Sequence, residues 1–286
     1  PKLMSGTLDR RLNAYRNDLA DKALEGRIDA ARFVAGQPYH VAVTIAPLHP
    51  VPTHDADLDT QALFGETVRV FDIADGWAWC QLDGDHYVGY VPLDCLVPGA
   101  GPRPTHKVRS GAAFAYSEPT ARSRPLRTLL FATPLTIINE SGAFYELLDE
   151  GFVGRQHVEL IDALLPEYLS SARTFLGAPY LWGGKSVLGI DCSGLVQLSL
   201  LRAGIDCPRD TDMQQKQLPG DIDITNDRLQ ELRRGDIVFW PRHVGLMLDN
   251  EQLLHANGTS MSTTIEAVRD VAARSKPITA VKRLPA

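Results

Sequence analysis

The sequence predicts an α+β protein in which two small β-barrels precede a domain of helices followed by strands. Three observations predict it. From about His40 the chain breaks into short runs that alternate apolar and polar residues between Gly, Pro and Asp. That texture occurs twice in the same order over roughly 60 residues each. After "LIDALLPEY" the apolar spacing becomes helical, and short strands return only later.

Composition sets the limits. Of 286 residues, 44% are apolar and 22% charged, so a sizeable core can be buried. The net charge of −6 argues against nucleic acid as the main partner. No apolar run reaches membrane-spanning length, so no membrane partner is expected. The charged opening stretch "PKLMSGTLDRRLNAYRNDLADKAL" lacks the apolar centre of a signal peptide, and a non-secreted, cytoplasmic protein is expected unless a leader was removed. Cys80, Cys95, Cys192 and Cys207 are few and irregularly spaced, which fits no disulfide framework and no CxxC pair.

The elements follow in order. In residues 1–38, Leu8, Leu12, Tyr15, Leu19 and Ala23 fall at helical steps, with Gly26 as a stop, so an N-terminal helix is expected. Residues 39–100 form the first barrel, with strands in "HVAVTIAP", "ETVRVFDIADGWAWCQLD" and "HYVGYVP". Residues 101–163 repeat it in "HKVRSGAAFAYSEP", "TPLTIINESGAFYELLD" and "GFVGRQHVEL". Each copy carries a Gly-then-aromatic turn (Gly76-Trp77; Gly142-Ala143-Phe144) and an aromatic-Val-Gly strand (Tyr87-Val88-Gly89; Phe152-Val153-Gly154). The linker is "VPGAGPRPTH". In residues 164–286, Pro166 suits a first helical position, and Tyr168, Leu169, Ala172, Phe175 and Leu176 give an apolar face. A Gly-rich loop leads to a helix from Ser193, closed by Gly204. "RRGDIVFWPR", "HVGLMLDN" and "EQLLHANG" then read as three strands joined by tight turns.

Cys192 stands where that loop becomes a helix. Unpaired backbone N–H groups and the positive end of the helix dipole meet there, and both ease loss of a thiol proton. Gly183, Gly184, Gly189 and Gly194 allow close approach to the sulfur. Three roles compete: small core residue, metal ligand or nucleophile. The histidines separate them. With a turn at Asp249-Asn250-Glu251, strand pairing places His243 opposite residues near 255 to 257, so His243 and His255 share a face. Cys192 then attacks, His243 shuttles the proton and His255 orients His243. A zinc site would use the same residue types, but no fourth ligand stands at useful spacing and zinc needs no thiol at a helix start. No metal and no cofactor are expected.

These pieces, "PYLWGG", "DCSGLV", "HVGLML" and "LLHANG", resemble the NlpC/P60 family of cysteine peptidases, in the family's order and over most of the last 120 residues. The resemblance implies a papain-like catalytic domain with Cys192 and His243 catalytic, His255 as the third polar residue, and Tyr180 beside the nucleophile as an aid to the oxyanion. The two repeats resemble bacterial SH3-like domains. The three-part layout is similar to γ-D-glutamyl-L-diamino acid endopeptidases, which cut murein stem peptides between D-Glu and meso-diaminopimelate or Lys when the N-terminal L-Ala is free. That similarity implies that Glu66, Tyr87 and Asp191 hold the substrate's ammonium, and that Ser193, Trp182 and Thr211 line the substrate. The free-amine requirement fits peptide recycling in the cytoplasm. A secreted hydrolase of intact wall, a non-catalytic peptide-binding module and a zinc hydrolase are the alternatives.

Overall fold

The computed structural model describes residues 8–285, and residues 1–7 and 286 lie outside it. The chain divides into two compact units, Pro1–Ile161 and Asp162–Ala286.

In the first unit the expected N-terminal helix is absent from the described residues. Residues 8–38 hold a 3-10 turn at Lys22–Leu24 and a two-residue parallel pairing of Ala20–Asp21 with Phe33–Val34. The short polar side chains take backbone partners that a helix would need. Asp9 Oδ1 accepts the Arg11 N–H at 2.9 Å, Asn13 Nδ2 donates to Asp9 O at 2.8 Å, and Asp21 Oδ1 accepts the Ala23 N–H at 3.1 Å. Ala14 and Leu19 are buried against Phe71, Trp79 and Val88, and Arg16 ties the segment down by pairing with Asp72 at 2.6 Å. The helical spacing of the leucines is therefore fulfilled by docking of an irregular segment onto a sheet, where tertiary packing outweighs propensity.

The two repeats each build a small antiparallel assembly. In the first, a five-stranded sheet runs in the order Val88–Pro92, Trp77–Leu82, Thr67–Ala74, Gln37–Val41, Leu96–Pro98, and a hairpin of Ile45–Leu48 with Thr60–Leu63 completes the core. Ala74 pairs with Trp77 across Asp75-Gly76, both at positive φ (51° and 80°). That is a two-residue primed turn, which matches strand twist and favours an Asp-Gly pair. In the second, a five-stranded sheet orders Pro125–Leu130, Ala112–Tyr116, Phe152–Gly154, Phe144–Leu147 and Ile137–Ser141, beside a three-stranded sheet of Pro134–Leu135, His106–Val108 and Val158–Leu160. The repeat extends to its end: in both copies the aromatic-Val-Gly strand passes through a 3-10 turn (Leu93–Cys95; Arg155–His157) into a short closing strand.

The second unit has four helices among its described residues: α1 (Tyr168–Arg173), α2 (Cys192–Arg202), α3 (Thr211–Gln217) and α4 (Val268–Arg274). Its six-stranded sheet runs Asp221–Ile222, Ala280–Lys282, Ile237–Trp240, His243–Met247, Gln252–Asn257, Ser262–Ala267, antiparallel throughout. The three expected strands form its centre. The sheet's other three strands, Asp221–Ile222, Ser262–Ala267 and Ala280–Lys282, and helices α3 and α4 go beyond the sequence expectation. Helix α2 packs on α1 and on the strands His243–Met247 and Gln252–Asn257, and its Leu195, Val196, Leu198 and Leu200 are buried. The other sheet face buries Val238, Trp240, Met247, Leu253, Val268 and Val271. A sheet carrying helices on both faces holds its central strands rigidly, and those strands carry both histidines.

Candidate active site

Helix α2 begins at Cys192, one residue earlier than expected. Asp191 is its N-cap, accepting the Gly194 N–H at 2.7 Å. The Asp191 carboxylate does more than cap. Its oxygens also receive the Gly183 N–H at 2.9 Å, the Ser193 hydroxyl at 3.2 Å, and Arg209 Nη1 and Nη2 at 2.9 and 2.8 Å. Arg209 is fully buried and donates in addition to Ser193 Oγ at 2.8 Å and Gly184 O at 3.2 Å. The Gly-rich loop and the helix start are thus bolted to one buried ion pair. Gly184 is required here, because a Cβ on it would meet Gly189 O at 2.4 Å.

Cys192 is buried, and its sulfur sits against the strand that carries His243. The N–H of Val244, the residue after His243, hydrogen bonds to Sγ, and Thr211 Oγ1 lies 3.9 Å from it. Burial, and then the Asp191 charge, push the thiol up to about 11, although Val244, Thr211 and Arg209 pull the other way. The expectation of a sulfur ionised by the helix start is therefore corrected: desolvation outweighs the dipole, and the resting group is a thiol.

His243 Nε2 and His255 Nδ1 are 2.8 Å apart, with the rings edge to face. The strands pair Leu246 with Leu254 and Met247 with Leu253, a register that puts the two rings on one face as expected. Burial, followed by His255 and Arg274, draws His243 down to about 3, and burial also lowers His255, so both rings rest neutral. His255 is 1% exposed and Trp240 packs beside His243.

Beyond the pair stand groups that sequence reasoning missed. His255 Nε2 lies 2.7 Å from Glu266 Oε2, and Arg274 Nη2 donates to that same oxygen at 2.5 Å. Asn257 Nδ2 lies 3.2 Å from His255 Nε2. Glu266 sits on a strand that was not assigned, two places from the residue opposite His255, so nothing in the local pattern pointed to it. Arg209 could have been found: it stands two residues before Thr211 in "PRDTDMQ".

Tyr180 lies on the loop before α2, its N–H bonded to Met261 O at 2.9 Å. Burial, then the neighbouring Cys192 and Asp191, push its phenol well above the ordinary tyrosine range, so it keeps its proton. Ser193 is buried and occupied with Asp191 and Arg209, whereas Trp182 is 57% exposed. In the first unit, Glu66 Oε2 accepts the Leu63 N–H at 3.0 Å, and Tyr87 is buried in the core of the first repeat. Among the described residues no group of three or more His, Cys, Asp or Glu is arranged to hold a metal.

A cysteine at a helix start, its sulfur against the strand that carries one of two paired histidines, is an arrangement suited to a cysteine peptidase. The comparisons carry this further. Residues 177–281 match the NlpC/P60 family, and residues 48–96 match the bacterial dipeptidyl-peptidase Sh3 domain. A γ-D-glutamyl-L-lysine dipeptidyl-peptidase of Bacillus subtilis is 27% identical over 80% of this chain and 82% of its own length. Its namesake from Bacillus cereus is 24% identical over 74% and 71%, and dipeptidyl-peptidase 6 of Lysinibacillus sphaericus is 27% identical over 76% and 86%. A crystal structure of an NlpC/P60 family protein from Bacillus cereus superposes with a TM-score of 0.72 at 20% identity, covering 87% of this chain and all of that one, which establishes the shared fold. The chain carries an NlpC/P60 domain behind an SH3-like domain and is a cysteine peptidase.

Proposed function

We propose that the protein hydrolyses the bond between γ-D-Glu and a diamino acid, meso-diaminopimelate or Lys, in murein stem peptides whose N-terminal L-Ala is free. The observation that carries the proposal is the sulfur of Cys192 lying against the His243 strand, with His243 joined to His255 at 2.8 Å. The names of the relatives supply the substrate class. The second repeat is read, in the same proposal, as a second SH3-like barrel.

Because the thiol and imidazole both rest neutral, catalysis proceeds by general base rather than from a standing ion pair. His243 takes the Cys192 proton as Sγ attacks the carbonyl carbon of the γ-amide. The tetrahedral oxyanion is held by the Cys192 backbone N–H at the helix start and by the protonated Tyr180 hydroxyl. Its collapse expels the amine of the diamino acid, which takes the proton back from His243, and leaves a thioester on Cys192. Water, losing a proton to His243, then attacks the thioester carbon and releases L-Ala-γ-D-Glu and the thiol. A cavity of about 370 Å³ beside the histidines, edged by Arg274 and Lys276, suits a leaving group that bears a carboxylate.

Glu66, Tyr87 and Asp191 are retained as ligands of the substrate ammonium. Asp191 is already paired with Arg209 at 2.8 Å. Such a site excludes peptides whose alanine nitrogen is blocked, and on that ground we place the activity in the cytoplasm, on free peptides. The test is a digest of L-Ala-γ-D-Glu-meso-diaminopimelate and its Lys counterpart, with and without an acetyl group on the alanine nitrogen. Cleavage of the free peptides alone is expected. Equal cleavage of acetylated peptide, or digestion of intact sacculi, overturns the ammonium site and favours a wall hydrolase.

A further inference from the structure

We propose that Glu266 is a positioning residue that sets the proton pattern of the histidine pair, in competition with Asn257, which by itself would set the opposite and unproductive pattern. The inference rests on the reading of Cys192 and His243 as nucleophile and base.

The argument is one of donors and acceptors. An ionised carboxylate only accepts. Burial raises the Glu266 pKa, but the hydrogen bonds from Arg274 and His255 hold it below the usual carboxylate range, so Glu266 is ionised at neutral pH. His255 Nε2, 2.7 Å from Glu266 Oε2, therefore carries the proton. In a neutral ring the other nitrogen, Nδ1, is then a lone pair, and at 2.8 Å it accepts from His243 Nε2–H. His243 is left with its lone pair on Nδ1, the ring nitrogen that His255 does not use. Only in that form can His243 take a proton from Cys192.

Asn257 pulls the other way. Its Oδ1 accepts the Ser260 N–H at 2.9 Å, which fixes the amide so that Nδ2 faces Thr264 Oγ1 and His255 Nε2, each at 3.2 Å. Nδ2 is a donor. If Glu266 is removed, His255 Nε2 becomes its acceptor, the proton moves to His255 Nδ1, and His243 Nε2 must then accept. The His243 proton is forced onto Nδ1, and the base is lost. The other charged group at the pair, Arg274 on α4, works with Glu266: it donates to the same oxygen and keeps that oxygen an acceptor. Hence Glu266→Gln, with its carbonyl oxygen held toward Arg274, preserves the pattern and loses only charge.

Two measurements test this on the full chain. In ¹⁵N-histidine NMR the wild type is expected to show both His243 and His255 protonated at Nε2, and Glu266→Ala to show both protonated at Nδ1. A wild-type His255 protonated at Nδ1 overturns the proposal whatever the activities. In kinetics on the free tripeptide, Glu266→Ala is expected to lose about 10²-fold or more in kcat with little change in KM, by analogy with the tautomer reversal that costs about 10⁴ in serine proteases. Glu266→Gln is expected to stay within about tenfold of wild type. Glu266→Ala combined with Asn257→Asp, which restores an acceptor at His255 Nε2, is expected to recover at least about tenfold over Glu266→Ala. Rescue by a second substitution excludes simple misfolding. Glu266→Ala within threefold of wild type, or no rescue, refutes the inference. Cys192→Ala assayed alongside separates the two readings: full activity in that variant sinks the nucleophile itself, whereas an inactive Cys192→Ala beside an unimpaired Glu266→Ala sinks only the role of Glu266.

Discussion

Arg209→Met is expected to loosen the start of helix α2 by about 3 kcal/mol, because breaking one side of a buried ion pair costs about 3–5 kcal/mol. Arg209 is fully buried, and its hydrogen bonds include two to Asp191 and one each to Ser193 Oγ and Gly184 O. Its removal leaves a buried carboxylate that still holds the Gly183 and Gly194 N–H groups and the Ser193 hydroxyl, which places the loss near the lower end of that range. Methionine keeps much of the volume, so the loss reports the pair rather than a cavity. Native-state hydrogen exchange over the α2 amides from Gly194 to Leu200 reads the local opening free energy, and kcat/KM on the tripeptide reads the displacement of Cys192. The double variant Arg209→Met with Asp191→Asn should be less destabilised than Arg209→Met alone, since no unpaired charge is then buried. An opening free energy within 1 kcal/mol of wild type, with unchanged kcat/KM, refutes the view that this pair holds Cys192 in place.

Three further outcomes follow from the same structure. Gly89→Ala drives a Cβ to 2.2 Å from Leu48 Cδ2 and 2.8 Å from His49 O, and should cost about 1–3 kcal/mol in thermal or urea unfolding of the first unit; a loss under 0.5 kcal/mol contradicts the close packing. Acid should destabilise the peptidase unit. The folded-state pKa values of His243 (about 3) and His255 lie below the ordinary unfolded value of about 6.5, so the unfolded chain binds more protons between them, and stability present above about pH 6.5 is lost as pH falls toward 3. The slope is at most about 1.4 kcal/mol per pH unit for each histidine, and a flat urea midpoint between pH 7 and 5 argues against two buried neutral rings. In the resting enzyme, iodoacetamide should alkylate Cys192 slowly at pH 7 and faster as pH rises toward about 11, with Cys80 slower still because burial pushes its thiol to about 12. Saturated Cys192 alkylation by pH 7, read by peptide mass spectrometry, shows instead a standing thiolate–imidazolium pair.

The local patterns carried much of the architecture. Alternation and turn residues located the strands of both repeats, and the Asp75-Gly76 pair marked a hairpin whose backbone favours that dipeptide. Helical spacing and Gly204 bounded α2, and the turn at residues 249–251 was enough to pair His243 with His255. The N-terminal segment misled because a leucine periodicity records only which residues are buried. Ala14 and Leu19 are buried against a distant sheet, and the short polar residues between them bond the backbone locally. Helices α3 and α4 are short and capped without side-chain bonds, so they left little trace in the sequence.

What the sequence determined by itself is the chemistry available: a cysteine at a helix start, two histidines in cross-strand register, and the glycines that let a loop pass close to them. What only the tertiary structure decided is the state of that chemistry. The depth of burial that makes thiol and imidazoles neutral is a sum over the surrounding packing, and no local spacing encodes it. The groups paired with them, Arg209 with Asp191 and Glu266 with His255, reach the site from other elements of the second unit. Hydrogen-bond direction depends on which acceptor stands at the far end of a chain of contacts, and that atom is put there by the fold.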